Sequence, residues 1–206
     1  MAPTFQDSGR YNPVHASPSG PGDARPTALQ IVHDNNLVGG LQGKIVLLTG
    51  GSNGIGVEEV RALAMTGATV IFTSRDLPKG EKVKNDILKQ WNEASVNPRI
   101  EVLKMDLKSL KSVREAAEAF KKRFEGLNVL VNNAGIALTP HELTEDGYEQ
   151  QFGVNHLAHF YLFQLLKPLL LQSSTPSFNS RVISVASAIH QMGSVKVGDY
   201  NLEKVG

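Results

Sequence analysis

Backbone alone could hold a phosphate at Thr49-Gly50-Gly51-Ser52-Asn53-Gly54-Ile55-Gly56, where spaced glycines follow an apolar run. A strand that turns on glycine and restarts as a helix aims free N–H groups and a positive dipole end at one place. In such a turn Gly50 allows the sharp bend and Gly54 lets backbone approach a pyrophosphate. Gly56 lets the helix pack close to the strand. Ser52, Asn53 and Ile55 belong to the same loop. The spacing, Thr-Gly-x-x-x-Gly-Ile-Gly, is one residue longer than the usual dinucleotide fingerprint. A second group stands at the end of the next apolar run, Phe72-Thr73-Ser74-Arg75-Asp76, with Lys79 one helical turn later. At such a strand end a carboxylate reads a ribose 2′-hydroxyl, whereas a 2′-phosphate needs a cation. Ser74 occupies the carboxylate's slot, and the planar guanidinium of Arg75 suits bidentate phosphate contact. Asp76 dissents, but at a helix start it complements the dipole. The pattern predicts NADP as cofactor.

The elements that must position these groups alternate along the chain. Residues 45–49 form a continuous apolar run, as expected of a central parallel strand covered on both faces. Residues 57–66 read as a helix with Val60, Leu63 and Ala64 on one stripe, closed by Gly67. Strands follow at 69–73, 100–103, 127–131 and 181–185. Helices follow at 78–91, at 109–124 with Ser109 as cap, and over most of 144–171. The alternation predicts an α/β fold: a doubly wound, Rossmann-type parallel sheet in the order 3-2-1-4-5. Lys121-Lys122-Arg123 falls at a helix C-terminus, where it offsets the negative dipole end.

Together with Val131-Asn132-Asn133-Ala134-Gly135 after the fourth strand, the glycine loop resembles the short-chain dehydrogenase/reductase family over residues 40–206. The resemblance implies that Asn132 and Asn133 brace the central sheet and approach the cofactor, with Ala134 and Gly135 leaving room for it. It also implies that Asp106, with the neighbouring amide of Leu107, contacts the adenine ring. The alternative is that Asp106 merely starts a turn.

Hydride transfer between a nicotinamide and a carbonyl needs a proton donor beside the substrate oxygen. A free Tyr, with a pKa of ~10, needs nearby positive charge to serve near neutrality. The family carries Asn, Ser, Tyr and Lys for this work. Asn155 in Val154-Asn155-His156-Leu157 matches the family Asn of the proton relay, and a satisfied core group is its other reading. In Arg181-Val182-Ile183-Ser184-Val185-Ala186-Ser187 the resemblance selects Ser187, with Ser184 second. Tyr200 and Lys204 fit Tyr-x-x-x-Lys, thirteen residues after Ser187, and at i, i+4 they would share a helix face. Gly198, Asp199 and Asn201 argue instead for a loop. Ser187-Ala188-Ile189-His190 with Asp199-Tyr200-Asn201-Leu202-Glu203-Lys204 resembles the retinol-dehydrogenase-like branch, especially its fungal members, in which that stretch is a loop. His156 and His159 lie three apart without complementary carboxylates, so they are expected on a helix surface or partner face, with no metal bound.

The resemblance implies an NADP-dependent oxidoreductase interconverting a ketone and a secondary alcohol, with a lipophilic substrate and a place in secondary metabolism. The chain ends two residues after Lys204, where family members continue. The fifth strand would then be an apolar edge at Val182, Ile183 and Val185, open to pairing with another chain. The other reading is therefore an NADP-binding remnant with little or no turnover. Family dimers often form through the long helix and its successor; with that successor expected to be missing or incomplete here, a homodimer is an open expectation.

Composition narrows the rest. A net charge of +1 over 206 residues gives no reason to expect nucleic acid or an anionic membrane as partner. The absence of cysteine excludes disulfides, thiolate zinc sites and cysteine nucleophiles. Met1-Ala2-Pro3-Thr4-Phe5 shows no secretory pattern, and Gln164, Lys167 and Pro168 interrupt the longest apolar stretch. A cytoplasmic protein is expected. Residues 1–40 hold five of the ten prolines and read as an extended, poorly packed arm, in which Leu29, Ile31 and Val32 could dock onto the domain at 41–206.

Overall fold

The computed structural model describes residues 9–192 and 197–203. Five parallel strands form one sheet in the order β3-β2-β1-β4-β5, as the alternation predicts. They are β1 (Ile45–Leu48), β2 (Thr69–Ser74), β3 (Arg99–Lys104), β4 (Val129–Asn132) and β5 (Arg181–Ser184). The central register sets Val46 opposite Val70 on one side and Val129 on the other. Because side chains alternate along a strand, β1 feeds two cores. Leu47 packs with Ile71, Leu130 and Phe120 on one face, whereas Val46 and Leu48 pack with Val60, Phe72 and Ile87 on the other.

Helices α3 (Ile55–Met65) and α4 (Leu77–Lys89) contribute to the second core. Helices α5 (Leu110–Arg123) and α7 (Ala158–Ser173) cover the first. Ser109 caps α5 by accepting from the Ser112 amide, as the sequence predicts. The basic cluster of α5 does occupy its last turn, and there Arg123 pairs with Glu101 of β3. The long helix expected from residue 144 begins only with α6 (Gln150–Phe152). It then passes through a π-helical turn, Gly153–Leu157, before continuing as α7. The wider π turn rotates the following residues on the helix axis, and such turns concentrate at functional sites.

One region departs from the sequence reading. Within the stretch expected to be an extended arm lie two helices, α1 (Asn12–His15) and α2 (Ala28–Asp34). Thr27 caps α2, and Val32 is buried against Ala62 and Met65 of α3. Arg10 and Tyr11 both hydrogen-bond Asp34, so α2 also anchors the chain before it. Prolines and glycines hid this because only a short amphipathic segment needed to fold. At the opposite side, among the described residues, β5 pairs only with β4, and Val182, Ile183 and Val185 are each more than 40% exposed, as the sequence reading expects of that edge.

The docked helix carries a measurable consequence. Val32→Ala removes two buried methyl groups and should lower unfolding free energy by about 2 kcal/mol in a urea titration. An unchanged midpoint would show that α2 does not pack in solution.

Candidate functional site

A cleft of about 640 Å³ opens at the carboxyl ends of β1, β2, β3 and β4, where the chain crosses from one side of the sheet to the other. Open α/β sheets bind ligands at that switch point. Of the residues expected at the cofactor, Gly50, Ser52, Asn53, Gly54, Ile55, Arg75, Lys79, Asp106, Leu107, Asn133, Ala134 and Gly135 line it.

Gly56 and Asn132 are not among the lining residues, and the structure gives each a different place. A β-carbon on Gly56 would strike the Gly50 carbonyl oxygen and come within 2.9 Å of Asn133 Nδ2, so Gly56 sets the approach of α3 to the strand. Asn132 is buried as the last residue of β4, in register with Ser184 of β5. The resemblance implies for Asn132 both bracing of the central sheet and approach to the cofactor; it lies in the sheet at the end of β4 and off the cleft lining, whereas Asn133, one residue on, lines the cleft.

Asn133 instead reaches back to the glycine loop. Its Nδ2 donates to the Thr49 carbonyl at 2.9 Å. The Thr49 hydroxyl oxygen accepts from the backbone amides of Asn133 and Ala134, both at 3.0 Å. The same oxygen lies 2.8 Å from His159 Nε2. Thr49 is fully buried, and its own amide donates to Val131 O. The two turns that face the cleft are thereby tied by one side chain.

Asn155 sits on the π turn. Its Oδ1 accepts from the Ile136 amide at 2.9 Å, and its Nδ2 donates to the Ile136 carbonyl at 2.8 Å. It therefore braces the segment after Gly135, and Ile136 lines the cleft.

His159 corrects an expectation. The sequence places it on a helix surface or partner face, yet it is only 5% exposed. Burial pushes its pKa below the ordinary value; the Nδ1 bond to the Asn155 carbonyl opposes this, and His156 adds to the lowering. A signal was available: His159 falls three residues before Leu162 and seven before Leu166, on the buried stripe of α7. Among the described residues no group of three or more His, Cys, Asp or Glu could hold a metal.

The helices that follow β1, β2 and β3 start differently. Asp76 caps α4, its Oδ1 accepting from Lys79 N at 3.0 Å, and Ser109 caps α5. Helix α3 has Gly54 at its N-cap and no side-chain cap at all. Gly54 has φ +56, a conformation that favours glycine, and open space where a side chain would stand. Ser74 is buried and hydrogen-bonds Ser52 Oγ at 3.1 Å, fastening the end of β2 to the glycine loop. Asp106 both lines the cleft and organises its own turn, with Oδ1 accepting from Lys108 N at 2.9 Å. Lys108 also lines the cleft, a residue that sequence reading passed over.

The remaining predicted residues lie elsewhere. Ser187 is exposed, with its Oγ accepting from the Ile189 amide at 3.2 Å, and is not among the cleft-lining residues. Ser184 is exposed on β5. Tyr200 lies in a turn, its ring stacked on Phe152 with centroids 5.3 Å apart, beside a smaller pocket. Asn201 docks that turn, accepting from Glu149 N at 2.9 Å and donating to Gly147 O at 3.1 Å. Lys204 lies outside the described residues.

Residues 44–206 match the profile of the short chain dehydrogenase family. The chain belongs to that family. The short-chain dehydrogenase/reductase prx1 of Penicillium roqueforti is 48% identical over 195 residues, covering 95% of this chain and 55% of its own. Retinol dehydrogenase 12 of Homo sapiens is 40% identical over 164 residues, covering 80% and 49% respectively. Among solved structures, the Pseudomonas aeruginosa RhlG/NADP active-site complex is similar with a TM-score of 0.59 at 27% identity. That match covers 80% of this chain and 63% of the other. The chain spans about half the length of these two curated relatives. As a short-chain dehydrogenase it shares with them the part built around the glycine loop.

The tight seat of Gly56 makes a direct prediction. Gly56→Ala forces α3 away from Gly50 and should cost about 1–3 kcal/mol in urea unfolding. A variant as stable as the parent would mean that α3 does not approach the turn this closely.

Proposed function

We propose that this chain binds NADP and belongs to an oxidoreductase that interconverts a ketone and a secondary alcohol. The observation that carries the reading is the uncapped N-terminus of α3, opening with Gly54 into the cleft while α4 and α5 are both capped. Unsatisfied N–H groups and the dipole end suit a pyrophosphate there. Around it the residues fit the rest of a dinucleotide. Arg75 and Lys79 offer positive charge at the end of β2, and Asp76, the nearby carboxylate, is committed to capping α4. That arrangement suits a 2′-phosphate better than a bare ribose. Asp106 and Leu107 would border the adenine, and Ala134 and Gly135 would leave space beside the cofactor.

When bound, NADP supplies a hydride donor or acceptor at its nicotinamide ring. Asn155, with both side-chain groups on Ile136, would hold the adjoining wall, and its relay role remains part of this proposal. Ser187 is the candidate to orient a carbonyl, and Tyr200 with Lys204 the candidate proton-donating pair. The name of the retinol dehydrogenase relative supports a lipophilic alcohol or carbonyl as substrate, and a setting in secondary metabolism belongs to the same proposal. Among the described residues no helix is long and apolar enough to cross a membrane, and a cytoplasmic location is proposed. A second reading, NADP binding without turnover by these 206 residues, is supported by Ser187 and Tyr200 lying off the cleft lining.

Calorimetric titration with NADPH and NADH checks the cofactor. The chain should bind NADPH the more tightly, and Arg75→Ser should reduce that preference about tenfold or more, the weight of one charge-assisted bond. An unchanged preference would remove Arg75 from the phosphate site.

A further inference from the structure

His159 is a buried, titratable side chain that the proposed chemistry leaves unused, and its hydrogen bonds fix its protonation. The Thr49 hydroxyl oxygen has two lone pairs, and the Asn133 and Ala134 amides, each at 3.0 Å, take both. What remains on that oxygen is its hydrogen, and His159 Nε2 at 2.8 Å is the acceptor. Nε2 therefore carries a lone pair. The proton sits on Nδ1, which donates to the Asn155 carbonyl at 3.0 Å. This tautomer is assigned from the network, and each partner accepts only one direction of donation.

The ring thus touches both groups that hold residues 133–136. Thr49 grips Asn133 and Ala134 from the glycine loop, and Asn155 grips Ile136 by its amide and carbonyl. We propose that His159 is a positioning residue for the cofactor cleft, and that its protonation releases the wall formed by residues 133–136. An imidazolium would direct an Nε2–H at an oxygen whose lone pairs are already taken. One of the Thr49 bonds must then break, or the ring must leave its place. The inference rests on the NADP-binding reading only for its effect on affinity.

The groups facing the ring come from three elements. Thr49 belongs to the β1 turn, Asn133 and Ala134 belong to the β4 turn, and none of them titrates. On its own helical run, Asn155 faces it through a carbonyl and His156 is the titratable neighbour. A positive His156 opposes a second positive charge. The folded pKa lies below the free value of about 6.5. The latch is therefore intact above that value and is lost as pH falls through the folded pKa.

Nitrogen-15 NMR of the 206-residue chain tests the inference without a variant. At pH 7.5 Nδ1 of His159 should show the protonated, pyrrole-type shift and Nε2 the pyridine-type shift; the reverse pattern overturns the proposal. His159→Gln offers a carbonyl to Thr49 and does not titrate. In the parent, acid should move the amide signals of residues 133–136 together with the His159 ring signals, and in His159→Gln that movement should vanish. Persistence of the same movement in the variant overturns the release step. For affinity, the ratio of NADPH affinities, variant over parent, should be flat above pH 7 and rise on the acid side by up to about tenfold per pH unit. Titration of the ligand's own phosphate cancels in that ratio, and a flat ratio overturns the link to the cleft. If the parent binds no NADPH at pH 7.5, the NADP reading fails, while the nitrogen and amide shifts still decide the role of His159.

Discussion

Thr49 stands at the one place where the glycine loop after β1 and the Asn133-Ala134 turn after β4 must be held at a fixed spacing. Both turns leave regular strand structure there, so their amides lose ladder partners while remaining at the edge of a buried core. A buried amide without an acceptor costs about 1–3 kcal/mol, and Thr49 supplies one oxygen to two of them. A serine would offer the same hydroxyl but with a freer χ1, whereas threonine's branched β-carbon restricts the rotamer. From this constraint the rest of the site follows in sequence. Asn133 returns a bond to the Thr49 carbonyl, His159 takes the hydroxyl proton, and Asn155 carries the hold on to Ile136.

The sheet explains why such a clasp falls here. In the order β3-β2-β1-β4-β5 the chain winds outward from β1 in both directions, and the loops after β1 and β4 part to leave a crevice. Packing keeps that crevice from closing. Leu47 and Leu130 anchor the two strands in one core while Val46, Val129 and Val131 anchor them in the other. The glycine loop is held to β2 as well, through the Ser52 and Ser74 hydroxyls, so the three strand ends behave as one rim. Its open feature is the start of α3.

Much of this was legible in the chain. Short continuous apolar runs bounded by turn residues suit strands covered on both faces, and helices between them make the sheet parallel, so order and layers followed from pattern. Ser109 and the Gly50, Gly54 and Gly56 spacing were legible because caps and turns are local chemistry. Asn132 was less legible, since adjacent asparagines look alike in sequence until strand direction separates them. His159 was misplaced because the lack of complementary carboxylates argued against a metal and so for a surface, whereas its register with Leu162 and Leu166 on the buried stripe decides its place. At 3.6 residues per turn positions i and i+3 stand only about 60° apart, and the π turn, which runs through His156, shifts that angle. Helix α2 was hidden among prolines because it is short, although Leu29 and Val32, both named as able to dock, do pack in the cluster with Ala62 and Met65 of α3. The position of Tyr200, stacked on Phe152, depends on contacts with residues some fifty positions away, which no local pattern encodes.

Amide hydrogen exchange at Asn133 and Ala134 tests most directly whether the Thr49 hydroxyl clamps the two turns. The account predicts protection at both amides close to that of Val131 in the neighbouring strand. In Thr49→Val, which keeps shape and removes the acceptor, both should exchange at least about tenfold faster while Val131 changes little. Equal protection with and without the hydroxyl, or loop-like exchange in the parent chain, would contradict it.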